Sequence, residues 1–256
     1  MPNLLQIKAL REKYASNSVI KKSDIRLLSE NFNKSKIEIK SLFIRNNGDQ
    51  DLIEYFENQK TAEVVLLFID ITNFSSGCSA YSNLQLSKYL DEYYETVIKT
   101  VYYHGGEIEK IIGDGIICVF GEPFLNGSLP TLFAKADACA KDLIIELKET
   151  NKEVKIALHH GKVMYYKNKS ENYPEYTMIG KPLTELFRLE SIAENNSINF
   201  FNVSPYQNMK CSQDGVFKYS RGNLHSYWKK TLSKSVDLKG VEWQYVRNFH
   251  CTYKTK

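Results

Sequence analysis

The apolar positions of this chain fall into short runs separated by longer stretches of helical period. Val64–Ile71 (VVLLFIDI) is almost continuously apolar, the pattern of a central strand buried on both faces. TNFSS then turns the chain. Leu84–Tyr103 carries Leu86, Leu90, Tyr93, Val97 and Val101 at helical spacing, which predicts an amphipathic helix stopped by His104-Gly105-Gly106. Glu107–Ile112 and Ile116–Phe120 read as strands around Gly113-Asp114-Gly115. That is a hairpin signal, because glycine tolerates the positive φ of tight turns. Thr131–Glu149 predicts a second amphipathic helix through Leu132, Ala136, Ala140, Leu143 and Leu147. Val154–Leu158 and Lys162–Tyr166 read as two further strands, and Asn168–Tyr176 as a polar loop. Thr184–Ala193 reads as a helix after Pro182, Asn199–Val203 as a strand, and VEWQYVRNF as a strand-like tail. The order β-α-β-β-α-β with added strands is an α+β, ferredoxin-like core.

Residues 1–60 are polar and lysine-rich. Ser23-Asp24 before IRLLSENF reads as a capped short helix, KIEIKSLFI as an edge strand, and Asp51–Asn58 as a further helix. With no site chemistry of its own, 1–60 is expected to be a packing or regulatory extension, and 61–256 the catalytic domain.

Charge and cysteines narrow the setting. The formal net charge is +4, with Lys and Arg scattered rather than clustered. This argues against a nucleic-acid partner and suits a small anionic substrate. The five cysteines lie far apart without a CxxC, as reduced thiols do. The first residues are too charged for a signal peptide, and no apolar run approaches the length of about 20 residues that spans a bilayer. A cytoplasmic protein without membrane contact is expected.

The candidate chemistry sits on two aspartates. Asp70 closes the first apolar run, and Asp114 sits at the hairpin tip. Singly, one reads as a cap and the other as a turn former. Together, at the ends of neighbouring strands, they are a pair of oxygen ligands suited to Mg²⁺ or Mn²⁺, which take substrate phosphates as further ligands. The carbonyl of Ile71 is a further candidate ligand. The amides of Thr72, Asn73 and Phe74, where the turn opens into a helix, are candidate phosphate donors. His159-His160 has the look of a metal pair but no Cys or acidic partner at ligand spacing.

The segments FIDITNFS, EKIIGDGIICVFG and YTMIGKPLTELFRLES resemble successive motifs of the class III nucleotidyl cyclases, a likeness covering about Ala62–Gly240. There is no Walker A motif and no GG[DE]EF signature. The resemblance implies intramolecular attack of the ribose 3′-oxygen on the α-phosphate, with loss of pyrophosphate, assisted by two divalent metal ions. It implies that Asp70, Ile71 and Asp114 hold the metals. Lys110 and Thr177 take the base-reading positions, and Phe74 lies on the substrate side. Arg188 takes the position that meets charge on the α-phosphate, and Lys239 that of a lysine meeting the terminal phosphates. It further implies a head-to-tail homodimer with composite sites. Thr184 stands where the family usually has the ribose-orienting asparagine. Thr184 keeps a hydroxyl but lacks the two-ended amide.

Lys110 with Thr177 is by analogy an adenine pair, the mark of an adenylyl cyclase. The bulky third motif with Phe187, and Phe74 and Phe68 nearby, favours a smaller base. The nearly bare catalytic domain is similar to the uridylate and cytidylate cyclases of Pycsar antiphage systems. A pyrimidine product is expected, uridylate ahead of cytidylate, read by a downstream cyclic-nucleotide-binding effector. A catalytically inactive cyclase-like dimerisation module is the competing class, and retention of both aspartates speaks against it.

Overall fold

The computed structural model describes residues 53–168, 176–202, 206, 216–222 and 224–255. The expected helix after Ser23-Asp24, the KIEIKSLFI strand and most of the Asn168–Tyr176 loop lie outside these residues. A helical segment at 53–57 falls within the expected Asp51–Asn58. The order is then β1 (Thr61–Ile71), α1 (Phe74–Gly77), α2 (Asn83–Tyr103), β2 (Glu107–Ile112), β3 (Gly115–Phe120), α3 (Leu129–Leu147), β4 (Val154–Lys167), β5 (Tyr176–Ile179), α4 (Lys181–Glu190), β6 (Ser197–Phe201), β7 (Val216–Arg221), β8 (Leu224–Lys230), β9 (Lys234–Ser235) and β10 (Tyr245–Thr255).

Among the described residues the strands form one sheet in the order β2-β3-β1-β4-β6-β10-β8-β7, with β5 on β4 and β9 on β10. The first four run antiparallel to one another, which gives the ferredoxin-like order, and β6 joins β4 in parallel. β1 is central, so its apolar run has two faces to fill. Val65, Leu67, Ile69 and Ile71 pack beneath α2 and α3 with Tyr93, Val97, Leu143 and Ile144. Val64, Leu66 and Phe68 face the other way, onto Phe56 and onto Leu186 and Leu189 of α4. Ser82 starts α2 through a capping box with Gln85, which satisfies amides that the first turn leaves open.

Several boundaries depart from expectation: the strand expected over Asn199–Val203 spans Ser197–Phe201, and the one expected in VEWQYVRNF begins only at Tyr245 and runs to Thr255. Lys162–Tyr166 is not a separate strand, because β4 pairs with β1 without interruption from Ile71↔Val154 to Thr61↔Met164. Gly161, between the two expected strands, sits at φ 153°. A Cβ there would meet Pro182 Cγ at 2.6 Å, so the glycine lets α4 lie close against the strand. The helix expected over Thr184–Ala193 instead spans Lys181–Glu190. Pro182 lies inside its first turn, where a missing N–H costs nothing. Among the described residues no helix is long and apolar enough to cross a membrane.

Candidate active site

The hairpin tip is built by a two-residue turn. Ile112 pairs with Gly115, leaving Gly113 and Asp114 as the turn, and Gly113 takes φ 61°, a conformation glycine adopts without strain. The Tyr94 hydroxyl on α2 donates to the Gly113 carbonyl at 2.5 Å. At the other side, a Cβ on Gly115 would come within 2.6 Å of the Phe68 ring. The tip is thereby held against both α2 and β1.

This places Asp114 beside the end of β1. The Asp70 and Asp114 carboxylates stand within hydrogen-bonding reach of each other, and the Ile71 amide donates to Asp114. Both carboxyls lie above the ordinary carboxylate range. Burial is the larger cause, and for Asp70 the neighbouring Asp114 charge is the next. Two half-buried carboxylates facing each other are a poor arrangement for bare protein and a good one for cations. Lys155, directly opposite Asp70 in the β1–β4 register, puts Nζ 3.3 Å from Asp70 Oδ2 and 2.7 Å from Glu190 Oε1. The donor set is all oxygen, which fits Mg²⁺ or Mn²⁺. Ile71 is buried beside Asp70, with its amide already spent on Asp114.

The other expected residues are distributed around this pair. Thr177 on β5 donates its hydroxyl to Glu109 Oε1 at 2.7 Å, and the Met178 amide donates to the same oxygen at 3.2 Å. Glu109 is the extra residue of a bulge in β2, which sets it beside Lys110 on the strand that leads to Asp114. Thr184, Arg188 and Lys239 are exposed, and no ion pair joins Arg188 or Lys239 to the aspartates among the described residues. Phe74 packs on the helical side of the sheet, its ring centroid 6.1 Å from that of Tyr89. It is thus separated from Phe68, whose ring meets Phe187 edge-on at 5.2 Å on the α4 side. The Thr72 amide is not available to phosphate, since it donates to the Glu153 carbonyl at 2.8 Å.

His159 and His160 do not act as a pair. Neighbours on a strand point to opposite faces. His159 Nε2 lies 3.0 Å from Glu185 Oε2 under α4, whereas His160 packs on Phe133 of α3. Among the described residues no group of three or more His, Cys, Asp or Glu is placed to hold a metal. Burial keeps both imidazoles below their ordinary value.

Lys155, Glu190, Glu109 and Glu185 are the residues that sequence reasoning missed. A lone lysine in VKIALHH is a visible signal, but its partner is known only once the β1–β4 register is fixed.

Comparison with known proteins agrees with this geometry. Residues 56–225 match the family described as the adenylate and guanylate cyclase catalytic domain. An adenylate cyclase of Anabaena cylindrica is 24% identical over 189 residues, 71% of this chain and 35% of that protein. The chain therefore spans about a third of the length of that relative. Among solved structures, the guanylyl cyclase Cya2 superposes with a TM-score of 0.59 at 20% identity, over 77% of this chain and 95% of that one. The adenylyl cyclase CyaB from P. aeruginosa gives 0.59 at 18% identity, over 76% and 95%. The fold is shared with both. With its aspartates, hairpin and strand order in place, this chain belongs to the adenylate and guanylate cyclase catalytic domain family.

Proposed function

We propose that this chain converts a pyrimidine nucleoside triphosphate, UTP ahead of CTP, to its 3′,5′-cyclic nucleotide and pyrophosphate. The observation that carries the reading is the Asp70–Asp114 pair, held together at the cost of burial and repulsion. Two divalent metal ions, when bound there, supply charge neutralisation and activation of the attacking and leaving oxygens. The protein's own part is placement. Tyr94 and Phe68 fix the hairpin tip, the Ile71 amide orients Asp114, and Lys155 balances Asp70 against Glu190.

The exposure of Arg188, Thr184 and Lys239 supports a composite site. In a head-to-tail homodimer these side chains meet the substrate held by the other copy's aspartates, with Arg188 set against charge on the α-phosphate. Base reading falls to Lys110, a donor only, and Thr177. Because the Thr177 hydroxyl proton is given to Glu109, the oxygen offers lone pairs outward. Uracil O4 and N3–H match a donor beside an acceptor. The Phe68–Phe187 contact adds bulk on the α4 side, which favours a small base.

Adenine presents a matching edge as well, and the likeness to an adenylate cyclase makes cyclic AMP the second reading. The similarity of the motifs to Pycsar cyclases supports a role in antiphage defence, with the product read by a separate effector. Mass spectrometry of products from each of the four triphosphates with Mn²⁺ tests the reading. Cyclic UMP or cyclic CMP is expected, and cyclic AMP as the sole product overturns the pyrimidine assignment.

A further inference from the structure

Helix α4 carries Thr184 and Arg188 on its exposed face, so their direction depends on how the helix sits on the sheet. Its buried face is Pro182, Glu185, Leu186 and Leu189. Three of these are apolar, as the inner stripe of an amphipathic helix should be. Glu185 is the exception: its carboxyl-bearing side chain is only 4% exposed, in the middle of a helix–sheet contact.

The strand beneath shows what receives it. Alternate residues of a strand share a face, and Lys155, Ala157, His159 and Gly161 of β4 form the face toward α4. Pro182 lies over Gly161, Glu185 Oε2 meets His159 Nε2 at 3.0 Å, and Glu190 Oε1 meets Lys155 Nζ at 2.7 Å. α4 is therefore fixed to one strand at its start, middle and end. His159 is 4% exposed, and its ring also stands edge-on to Phe201 of β6 at 5.1 Å. Burial holds the imidazole below its ordinary value, so at neutral pH it is uncharged and its Nε2–H donates to Glu185.

Such a pair is a weak device for stability. Glu185 Oε1 is buried without a hydrogen-bond partner, and the Lys181 ammonium stands 3.7 Å from it. Two leucines would fill similar space with little or no loss. What the pair has and leucines lack is direction. Apolar contact is non-directional, whereas a hydrogen bond weakens steeply as its angle closes. Leu186 and Leu189 hold α4 down but do not set its roll about its own axis. The Glu190 contact runs through the long stem of a lysine that Asp70 shares, so the short, enclosed Glu185–His159 bond is the tighter constraint. Thr184 precedes Glu185 by one residue and Arg188 follows it by three.

We infer that Glu185 and His159 are positioning residues for the proposed cyclisation, on the reading that Thr184 and Arg188 complete the other copy's site. Their hydrogen bond sets the roll of α4, and through it the placement of both side chains against the substrate. Misplacing a group that meets the transition state by about 1 Å can slow a reaction about 100-fold. Rolling a helix moves its outer side chains together, so one bond on the inner face governs both.

Variants of the full chain, assayed with UTP, CTP and ATP in Mn²⁺, test this. The double variant His159→Leu with Glu185→Leu removes the bond and keeps the volume. It is expected to keep the wild-type Tm, and KM within about twofold, while kcat falls about tenfold or more. Glu185→Gln keeps an acceptor for the imidazole N–H and is expected to recover most of kcat. Wild-type kcat in the double variant, or a change confined to KM, overturns the positioning role. So does a collapse of its Tm, which makes the pair merely structural, or a Glu185→Gln variant no faster than the double variant. Amide hydrogen exchange of the metal-free protein reads the same contact without turnover. The amides of 181–190 are expected to exchange about tenfold faster in the double variant, with those of α3 unchanged. Unchanged exchange in α4 overturns the positioning role whatever the activity. Absence of any cyclic nucleotide from the wild-type chain counts against the proposed function alone and leaves the exchange result to decide.

Discussion

Lys155 faces Asp70 across the β1–β4 ladder, its Nζ 3.3 Å from Asp70 Oδ2. The same ammonium reaches Glu190 at the end of α4 at 2.7 Å. One lysine therefore ties the strand that bears Asp70 to the helix that carries Arg188. Lys155→Met leaves Asp70 and Asp114 facing each other without it. The expected loss of stability in EDTA is about 1–2 kcal/mol, between the values for exposed and buried pairs. Mn²⁺ is expected to raise the Tm of the variant more than that of the wild type. Equal metal-induced shifts would show that Lys155 does not balance the aspartates.

Gly115 is needed for space. A Cβ placed there falls 2.6 Å from Phe68 Cε2 and 3.3 Å from the Ile112 carbonyl. Gly115→Ala is expected to displace Phe68 and with it the Phe187 contact, at a cost of about 1–3 kcal/mol. Urea unfolding measures this, and an unchanged midpoint would contradict the packing described for the hairpin.

Stability is expected to depend on His159 and His160 in mild acid. Burial lowers both below the ordinary histidine value, which is about 6.5. The folded state therefore binds fewer protons than the unfolded chain once pH drops past that value. Stability is full above it and is lost as pH falls toward the lowered folded values, by up to about 1.4 kcal/mol per pH unit per histidine. His159→Gln, which retains a donor for Glu185, is expected to flatten the Tm profile between neutral pH and pH 5. A slope identical to that of the wild type would rule His159 out as a contributor.

Thr177 donates its hydroxyl proton to Glu109, which under the proposed function sets the polarity of the edge that reads the base. Thr177→Val removes the outward lone pairs while keeping the shape, and is expected to lower kcat/KM for the preferred nucleotide about tenfold or more. Thr177→Ser is expected to restore most of it. A Val variant with unaltered nucleotide preference would remove Thr177 from base recognition.

Much of the fold was legible because its signals are local. VVLLFID reads as a doubly buried strand, the Gly-Asp-Gly turn reads as a hairpin, and the apolar spacing of Leu84–Tyr103 reads as the helix that forms α2. What was not legible depends on register. Val154–Leu158 and Lys162–Tyr166 read as two strands, but Gly161 between them lies within one strand as the close-approach point for Pro182. Lys155 has no partner that the sequence alone identifies, because its rung opposite Asp70 is set by the β1–β4 register. Phe74 and Phe68 lie six positions apart but on opposite faces of the sheet, so sequence proximity suggested a shared pocket that the structure divides. Glu109 reaches Thr177 only because of a bulge, an extra residue that no period reveals.

The central claim is that Asp70 and Asp114 work as one metal-holding unit for nucleotide cyclisation. Cyclic nucleotide formation should be measured with Mn²⁺ for the wild type, Asp70→Ala and Asp114→Ala, with folding confirmed for each by circular dichroism. Each single replacement is expected to abolish detectable product while the fold persists. Wild-type rates in either folded variant would contradict the account.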